Sequence, residues 1–372
     1  MKFSFNLSKL SKVDVLIYDD CYSNLDIPKK IKALTIKKNE VFLFIFLQSL
    51  ILNILSFNFS IKKLIYSYYK LLIKKIRPSI IVSHELKSNI FKFKKDFPNI
   101  ITIVYQLNNY FDYFKNVTNE IINKDFAKSD FKCDYLILKN KHSYKYLNFI
   151  KSKKIILGSI KNNEIKTNSY KKKKYDIMFA STFRKKVYKF FGLVHHGFLE
   201  MSDASSTYIL NMINQLILSK NLKVCIAFSS LRSDKKNKLS FKDEKEFYQS
   251  NLKKFYVEKN IDSYQLAEKS KIIINVGSSL GLDLISRGHK VLFLQPISFA
   301  PADLLEMISK KKKEGSFWYK GTNNSIIQKK IMRLILLSQN KWKKTFKKNA
   351  IQAYDQNNIY LKNLISKILK VK

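Results

Sequence analysis

Lys271–Leu294 reads KIIINVGSSLGLDLISRGHKVLFL, and the order of residue types within it decides the fold. Lys271–Val276 is a short apolar run rich in β-branched residues, the signature of a parallel strand buried on both faces. Gly277-Ser278-Ser279 breaks the run. Ser279–Arg287 then has helical spacing, Gly288 marks its end, and Lys290–Leu294 is a second strand. Strand, short loop, helix and strand make up one unit of a doubly wound parallel sheet. The chain holds eight glycines in 372 residues, and three of them, Gly277, Gly281 and Gly288, fall in this stretch. A loop of Gly277, Ser278 and Ser279 that opens a helix offers unpaired amides, hydroxyls and the positive end of the helix dipole, which together suit a phosphate. Asp283 is expected near the first turn, where its carboxylate can accept from a ribose hydroxyl. The plainer alternative is a serine N-cap with a small-residue turn and a dipole-stabilising Asp.

The same alternation extends in both directions. Upstream, strands are expected at Val13–Tyr18, Ser79–Ser83, Ile100–Tyr105, Tyr135–Leu138 and Lys154–Leu157, with helices at Ile61–Ile76, Leu86–Lys95 and His142–Ile150. The polar, lysine-rich stretch Lys166–Lys174 is the linker candidate. Beyond it the pattern restarts with strands Tyr175–Ala180 and Leu222–Phe228 and helices Thr207–Leu218 and Asp243–Lys254. From Asn324 onward the tail reads as helical and is expected to pack back across both halves. The fold class is therefore α/β, with two Rossmann-like doubly wound domains, 1–165 and 170–372, facing a cleft.

Composition bounds the function. Lys and Arg number 70 against 28 Asp and Glu, a formal +42. Only five of the basic residues are Arg, the residue whose planar fork reads guanine edges and phosphates bidentately. The lysine excess comes with an abundance of Ile, Asn, Phe and Tyr, the bias of an AT-rich genome, so no specific nucleic-acid partner is expected. An apolar fraction of 46% is ample for packed cores. Cys21, Cys133 and Cys225 are widely spaced and lack metal-site spacing, which predicts buried thiols in a reducing, cytoplasmic setting. Val41–Leu55 (VFLFIFLQSLILNIL) is strongly apolar but about 15 residues long, short of the roughly 20 that cross a bilayer. It reads as a buried or interfacial helix, with a peripheral contact to an anionic inner membrane as the secondary expectation.

Other loops qualify as ligand sites. Gly158-Ser159 follows a strand and precedes Lys161. Ser181-Thr182 follows the strand Tyr175–Ala180, and Arg184 just beyond it is a candidate diphosphate clamp. His84-Glu85 follows the strand Ser79–Ser83, where either residue can act as a general base. His195-His196, His142 and His289 read as loop or surface residues. No P-loop, H-E-x-x-H, G-x-S-x-G or G-x-G-x-x-G occurs, so NTP hydrolysis, zinc proteolysis, serine hydrolysis and hydride transfer lack support.

The runs IRPSIIVSHELKSNIFKFKKDFPNIITIVYQLNNY (Ile76–Tyr110), CDYLILKN, IILGSIKNN, YDIMFAS and INVGSSLGLDLISRGHKVLFL resemble the bacterial surface carbohydrate biosynthesis proteins, which are similar to two-domain GT-B glycosyltransferases. The resemblance runs from about Ile61 to Trp342. Its most specific part is S-S-L-G-x-D-x-x-x-R-G-x-K-V at Ser278–Val291. It implies a transferase that moves a sugar from a nucleotide-activated donor to a glycan or lipid-linked acceptor, without metal or cofactor. The donor diphosphate is then expected near Ser278, Ser279 and Gly281 in the second domain, and the acceptor on the first. Two departures stand out: Gln106-Leu107-Asn108 replaces a Gln-Asn-Gly turn, and Phe228-Ser229-Ser230 replaces an Arg after its strand. The alternatives are a nucleotide-sugar epimerase of the same architecture and a non-enzymatic protein that binds RNA or a membrane surface.

Overall fold

The computed structural model describes residues 4–7, 10–18, 27–36, 40–57, 60–85, 89–107, 131–166, 172–183, 189–190, 193–194, 196–229, 238–258, 261–297, 308, 312–346 and 351–370. Among these, one unit takes the residues up to 107 together with 131–164 and 355–370, and the other takes 165–354.

In unit 1, β1 (Ser4–Asn6) pairs in parallel with β4 (Glu40–Phe42), apart from the main sheet. The main sheet is formed by β2 (Val15–Ile17), β3 (Ala33–Thr35), β5 (Ile80–His84), β6 (Ile101–Tyr105), β7 (Lys132–Leu138) and β8 (Lys151–Ile156), in the spatial order β3-β2-β5-β6-β7-β8. All five pairings are parallel. Its helices are α1 (Leu43–Leu55), α2 (Ile61–Ile76), α3 (Asn89–Asp96), α4 (Ser143–Tyr146) and α5 (Ile160–Glu164). The central strand β5 is buried along its whole length, as a strand covered on both faces must be.

Unit 2 repeats the plan. Its strands are β9 (Tyr175–Ala180), a small antiparallel pair β10 (Lys189–Phe190) and β11 (Leu193–Val194), β12 (Val224–Ala227), β13 (Ser270–Asn275), β14 (Val291–Gln295), β15 (Glu314–Gly315) and β16 (Trp318–Lys320). The sheet order is β12-β9-β13-β14-β16-β15, parallel except for the β15–β16 edge. The helices are α6 (His196–Lys220), α7 (Lys238–Asn251), α8 (Ser263–Glu268), α9 (Ser279–Ser286), α10 (Asn324–Leu336) and α11 (Gln339–Thr345), and α12 (Ile359–Ile368) closes the chain.

In each sheet the chain lays its second strand on one side of the first and its third on the other, then builds outward. The order reverses between β2 and β5 in unit 1 and between β9 and β13 in unit 2. The crevice at the carboxyl ends of such a pair is where doubly wound sheets bind ligands.

Three expectations change. The change of unit at Glu164 lies beside the linker read at Lys166–Lys174, but 170–372 is not one body, because the tail returns to unit 1. Leu361 and Ile365, one turn apart on α12, are fully buried among Val15, Ile80, Val82, Ile103 and Ile137. Asn358 fastens it, accepting from Asn163 Nδ2 at 2.9 Å and donating to the Ile160 carbonyl at 3.0 Å. Second, of the two readings of the helix within Val41–Leu55 the buried one fails: its inner face carries Ile45, Ser49 and Asn53, while Phe44, Leu47, Ile51, Leu52, Ile54 and Leu55 are exposed. Third, His196 starts α6 instead of lying in a loop, and His195 lies outside the described residues. Cys133 and Cys225 are buried free thiols, and burial pushes both up to about 12. Cys21 lies outside the described residues.

Candidate functional site

At the carboxyl edge of unit 2, Ala227, Ala180 and Asn275 lie in register across three neighbouring strands. The chain leaves these strands through Ser229, Ser181-Thr182 and Gly277-Ser278-Ser279. Adjacent strands are about 4.8 Å apart, so the last two loops flank the reversal point directly. Ser278 is the N-cap of α9: its backbone is extended (φ −79°, ψ 135°) and its Oγ accepts the Leu280 N–H at 3.3 Å. The Ser278 N–H in turn donates to Asn275 Oδ1 at 3.1 Å, tying the strand end to the helix start. Asn275 lies so close beneath the helix that a Cβ on Gly281 would come within 2.5 Å of its Cγ. Gly281 is thus fixed by a close approach. Ser279, the first residue of the helix, is exposed.

The neighbouring loop is braced from below. Ser181 is buried, and its hydroxyl donates to Glu244 Oε1 at 2.5 Å. The same oxygen accepts the Ser229 N–H at 2.8 Å and is 3.0 Å from the Ser229 hydroxyl. Glu244 is fully buried on α7 and so draws together the ends of β9 and β12. Thr182 Oγ1 lies 3.4 Å from Ser206 Oγ on α6. One turn before Ser206, burial pushes the Asp203 carboxyl up to about 6. Sequence reasoning missed Glu244. Its signal was a carboxylate at the middle of the i, i+3, i+7 stripe Phe241, Glu244, Tyr248, where an amphipathic helix keeps apolar residues.

The signature block divides in two. Asp283 is the fifth residue of α9, past its first turn, and both its oxygens accept from protein donors: Tyr264 Oη at 2.9 Å and Gln352 Nε2 at 2.6 Å. Arg287 stacks its guanidinium over Tyr264 and Tyr354, and donates to the Ile165 carbonyl at 3.0 Å. Gly288 takes φ +91°, and its carbonyl accepts the Trp342 indole N–H at 3.0 Å. Lys290 is buried and donates to the Leu334 and Leu337 carbonyls at the end of α10. From Asp283 onward the block is scaffold, and only Ser278, Ser279 and Gly281 stand at the strand edge.

In unit 1, His84 is the final residue of β5, within the strand and not after it, and Glu85 follows. Both are buried at the reversal point of their own sheet. The Glu85 N–H donates to the Tyr105 carbonyl at 3.2 Å, and Glu85 Oε2 accepts the Leu107 N–H at 2.7 Å. Gln106 continues the series, its Oε1 accepting the Lys139 N–H at 2.9 Å. Gly158 (φ +88°) and Ser159 are buried and belong to unit 1. Ser159 Oγ accepts the Asn162 N–H at 3.4 Å, and the turn they form leads into the α5 residues that hold the tail. Arg184 and Asn108 lie outside the described residues. Among the described residues no group of three or more His, Cys, Asp or Glu could hold a metal ion, and no helix is long and apolar enough to cross a membrane.

Residues 112–369 match the model of a family described as "putative O-antigen biosynthesis protein". No curated protein sequence matches the chain. Among solved structures, the S. aureus MnaA–UDP co-structure matches with a TM-score of 0.54 at 13% identity, covering 98% of both chains. A structure titled "putative UDP-N-acetylglucosamine 2-epimerase" from Listeria monocytogenes gives 0.58 at 10% identity over 98% of both chains. The UDP-GlcNAc 2-epimerase of Methanocaldococcus jannaschii gives 0.53 at 10% identity over 95% of this chain and 99% of its own. At such identities the likeness establishes the fold, a GT-B arrangement of two doubly wound units.

Proposed function

Because the chain belongs to the O-antigen biosynthesis protein family, we propose that it is a nucleotide-sugar-dependent transferase of surface-polysaccharide synthesis, with the donor diphosphate at the start of α9. One observation carries the reading: the exposed Ser279, at the positive end of α9, stands at the reversal point of unit 2, beside the Ser181-Thr182 loop. A helix N-terminus there stabilises the charge that develops on a departing diphosphate. In the reaction, the acceptor oxygen forms a bond to the anomeric carbon as the bond from that carbon to the diphosphate breaks. A base takes the acceptor proton, and His84 and Glu85 are the candidates. Of the pair, Glu85 is held at the strand edge by the bond its Oε2 accepts from the Leu107 N–H.

The second reading is a nucleotide-sugar epimerase. It is favoured by the structural matches along nearly the whole chain, two of which carry epimerase names and a third of which was solved with UDP. A thermal-shift screen against UDP-, GDP-, CDP- and CMP-linked sugars tests both, since a ligand that binds only the folded state raises the midpoint. One class of donor is expected to raise the midpoint by several degrees. Donor turned over only with a glycan acceptor supports transfer, and donor interconverted without acceptor supports the epimerase. Failure of every donor to shift the midpoint, together with steeply salt-dependent binding to RNA, would overturn both.

A further inference from the structure

The helical hairpin α1–α2 is built inside out. The inner face of α1 carries Ser49 and Asn53 one turn apart beside Ile45; Ser49 Oγ donates across the hairpin to the Leu64 carbonyl on α2 at 3.5 Å, and Asn53 Nδ2 donates to the Ser49 carbonyl at 2.7 Å. The opposite face presents Phe44, Leu47, Ile51 and Leu55, all exposed. The tip continues the same chemistry, with Phe57 86% and Ile61 73% exposed. An ordinary surface helix has the reverse arrangement, and contiguous exposed apolar surface on this scale marks an interaction face.

Charge selects the occupant. Residues 41–84 contain no Asp or Glu, whereas Lys62, Lys63, Lys74, Lys75 and Arg77 lie on or just after α2; Lys70, also on α2, pairs with Asp96 of α3 at 2.8 Å. Lys62 and Lys63 are exposed and directly follow Ile61 at the tip. A protein partner that covered the apolar face would also have to match the lysines at the tip, which an anionic lipid headgroup layer does by its nature. At 1.5 Å per residue α1 is about 20 Å long, too short to cross the roughly 30 Å hydrocarbon core. It suits a helix lying in the interface.

We propose that the α1–α2 hairpin docks unit 1 onto an anionic phospholipid bilayer, the outer face of α1 and the tip at Phe57 entering the interface and Lys62 and Lys63 meeting the headgroups. This stands apart from the sugar-transfer reading, and it would place the protein where a lipid-linked substrate is presented.

The test is flotation of the full chain with vesicles of phosphatidylcholine alone and with about 30% phosphatidylglycerol, at low salt and at about 0.5 M salt, where screening suppresses binding by charge alone. Wild type is expected to float with the anionic vesicles and to retain part of its binding in high salt. Ile51→Ser, Leu55→Ser and Phe57→Ser combined should weaken binding at least tenfold. Lys62→Gln with Lys63→Gln should weaken it at low salt, whereas the charge-matched Lys343→Gln with Lys344→Gln on α11 should not. Should the triple variant fold poorly, Phe57→Trp supplies an independent readout: its fluorescence should be quenched by brominated lipid in anionic vesicles. Equal binding by wild type and the triple variant, or no quenching of the new tryptophan, overturns the proposal. So does a wild-type dimer in ultracentrifugation that the triple variant converts to monomer without changing lipid binding, which would assign the face to a second copy.

Discussion

The two units reverse their strand order at the same place, yet their carboxyl edges are finished differently. In unit 2 the brace comes from outside the loops: Glu244, on α7, holds Ser181 and Ser229 from below. That leaves small residues at the surface, and Ser279 projects from the start of α9. In unit 1 the brace is part of the edge, since Glu85 itself binds the Leu107 N–H and Gln106 binds the Lys139 N–H. One edge thus offers the exposed Ser279 at a helix N-terminus, the other a closed row that carries His84 and Glu85. The difference teaches that a shared topology fixes where a site can form, and that the source of the bracing carboxylate decides what chemistry remains there.

The largest expected effect breaks the unit 2 brace. Glu244→Ala removes the acceptor of buried donors on Ser181 and Ser229 and should cost about 3 kcal/mol in denaturant unfolding. A loss below about 1 kcal/mol would mean that the strand ends hold without it. The matching change in unit 1 should separate stability from chemistry. Glu85→Gln keeps an amide oxygen for the Leu107 N–H, so the melting midpoint should move little, whereas turnover should fall about a hundredfold if the carboxylate is the base. Undiminished turnover would reduce Glu85 to a brace and make the two edges alike.

Much of this was legible in the sequence. Most strands of both sheets stand out as short apolar runs, though β3, β15 and β16 do not, and Gly277-Ser278-Ser279 marks a βα loop because glycine is so scarce in this chain. The block that announces the site was also legible, but its division was not. Asp283 looks like a ligand residue in one dimension, and only three-dimensional placement reveals Tyr264 and Gln352 as its partners. The helical tail was expected across both halves, but spacing does not name the sheet on which a helix settles, so it could not be read that α12, through Leu361 and Ile365, is the part that joins unit 1. The three-residue strands β1, β3 and β4 are too short for any periodicity to register. The outward apolar face of α1 was hidden for a related reason: a pattern defines the two faces of a helix, and only packing says which is inside.

The central claim is that the first turn of α9 holds the donor diphosphate and is more than a well-capped helix. Ser279→Asp tests it most directly because the two readings predict opposite outcomes. A carboxylate at the first helical position favours the helix dipole, by about 0.3–1 kcal/mol, but repels a bound diphosphate. Calorimetric titration of the variant with UDP, GDP and CDP, alongside its melting curve, should show affinity at least tenfold weaker than wild type for the nucleotide that binds, with an equal or higher midpoint. Undiminished nucleotide affinity in a variant that melts at or above wild type would contradict it.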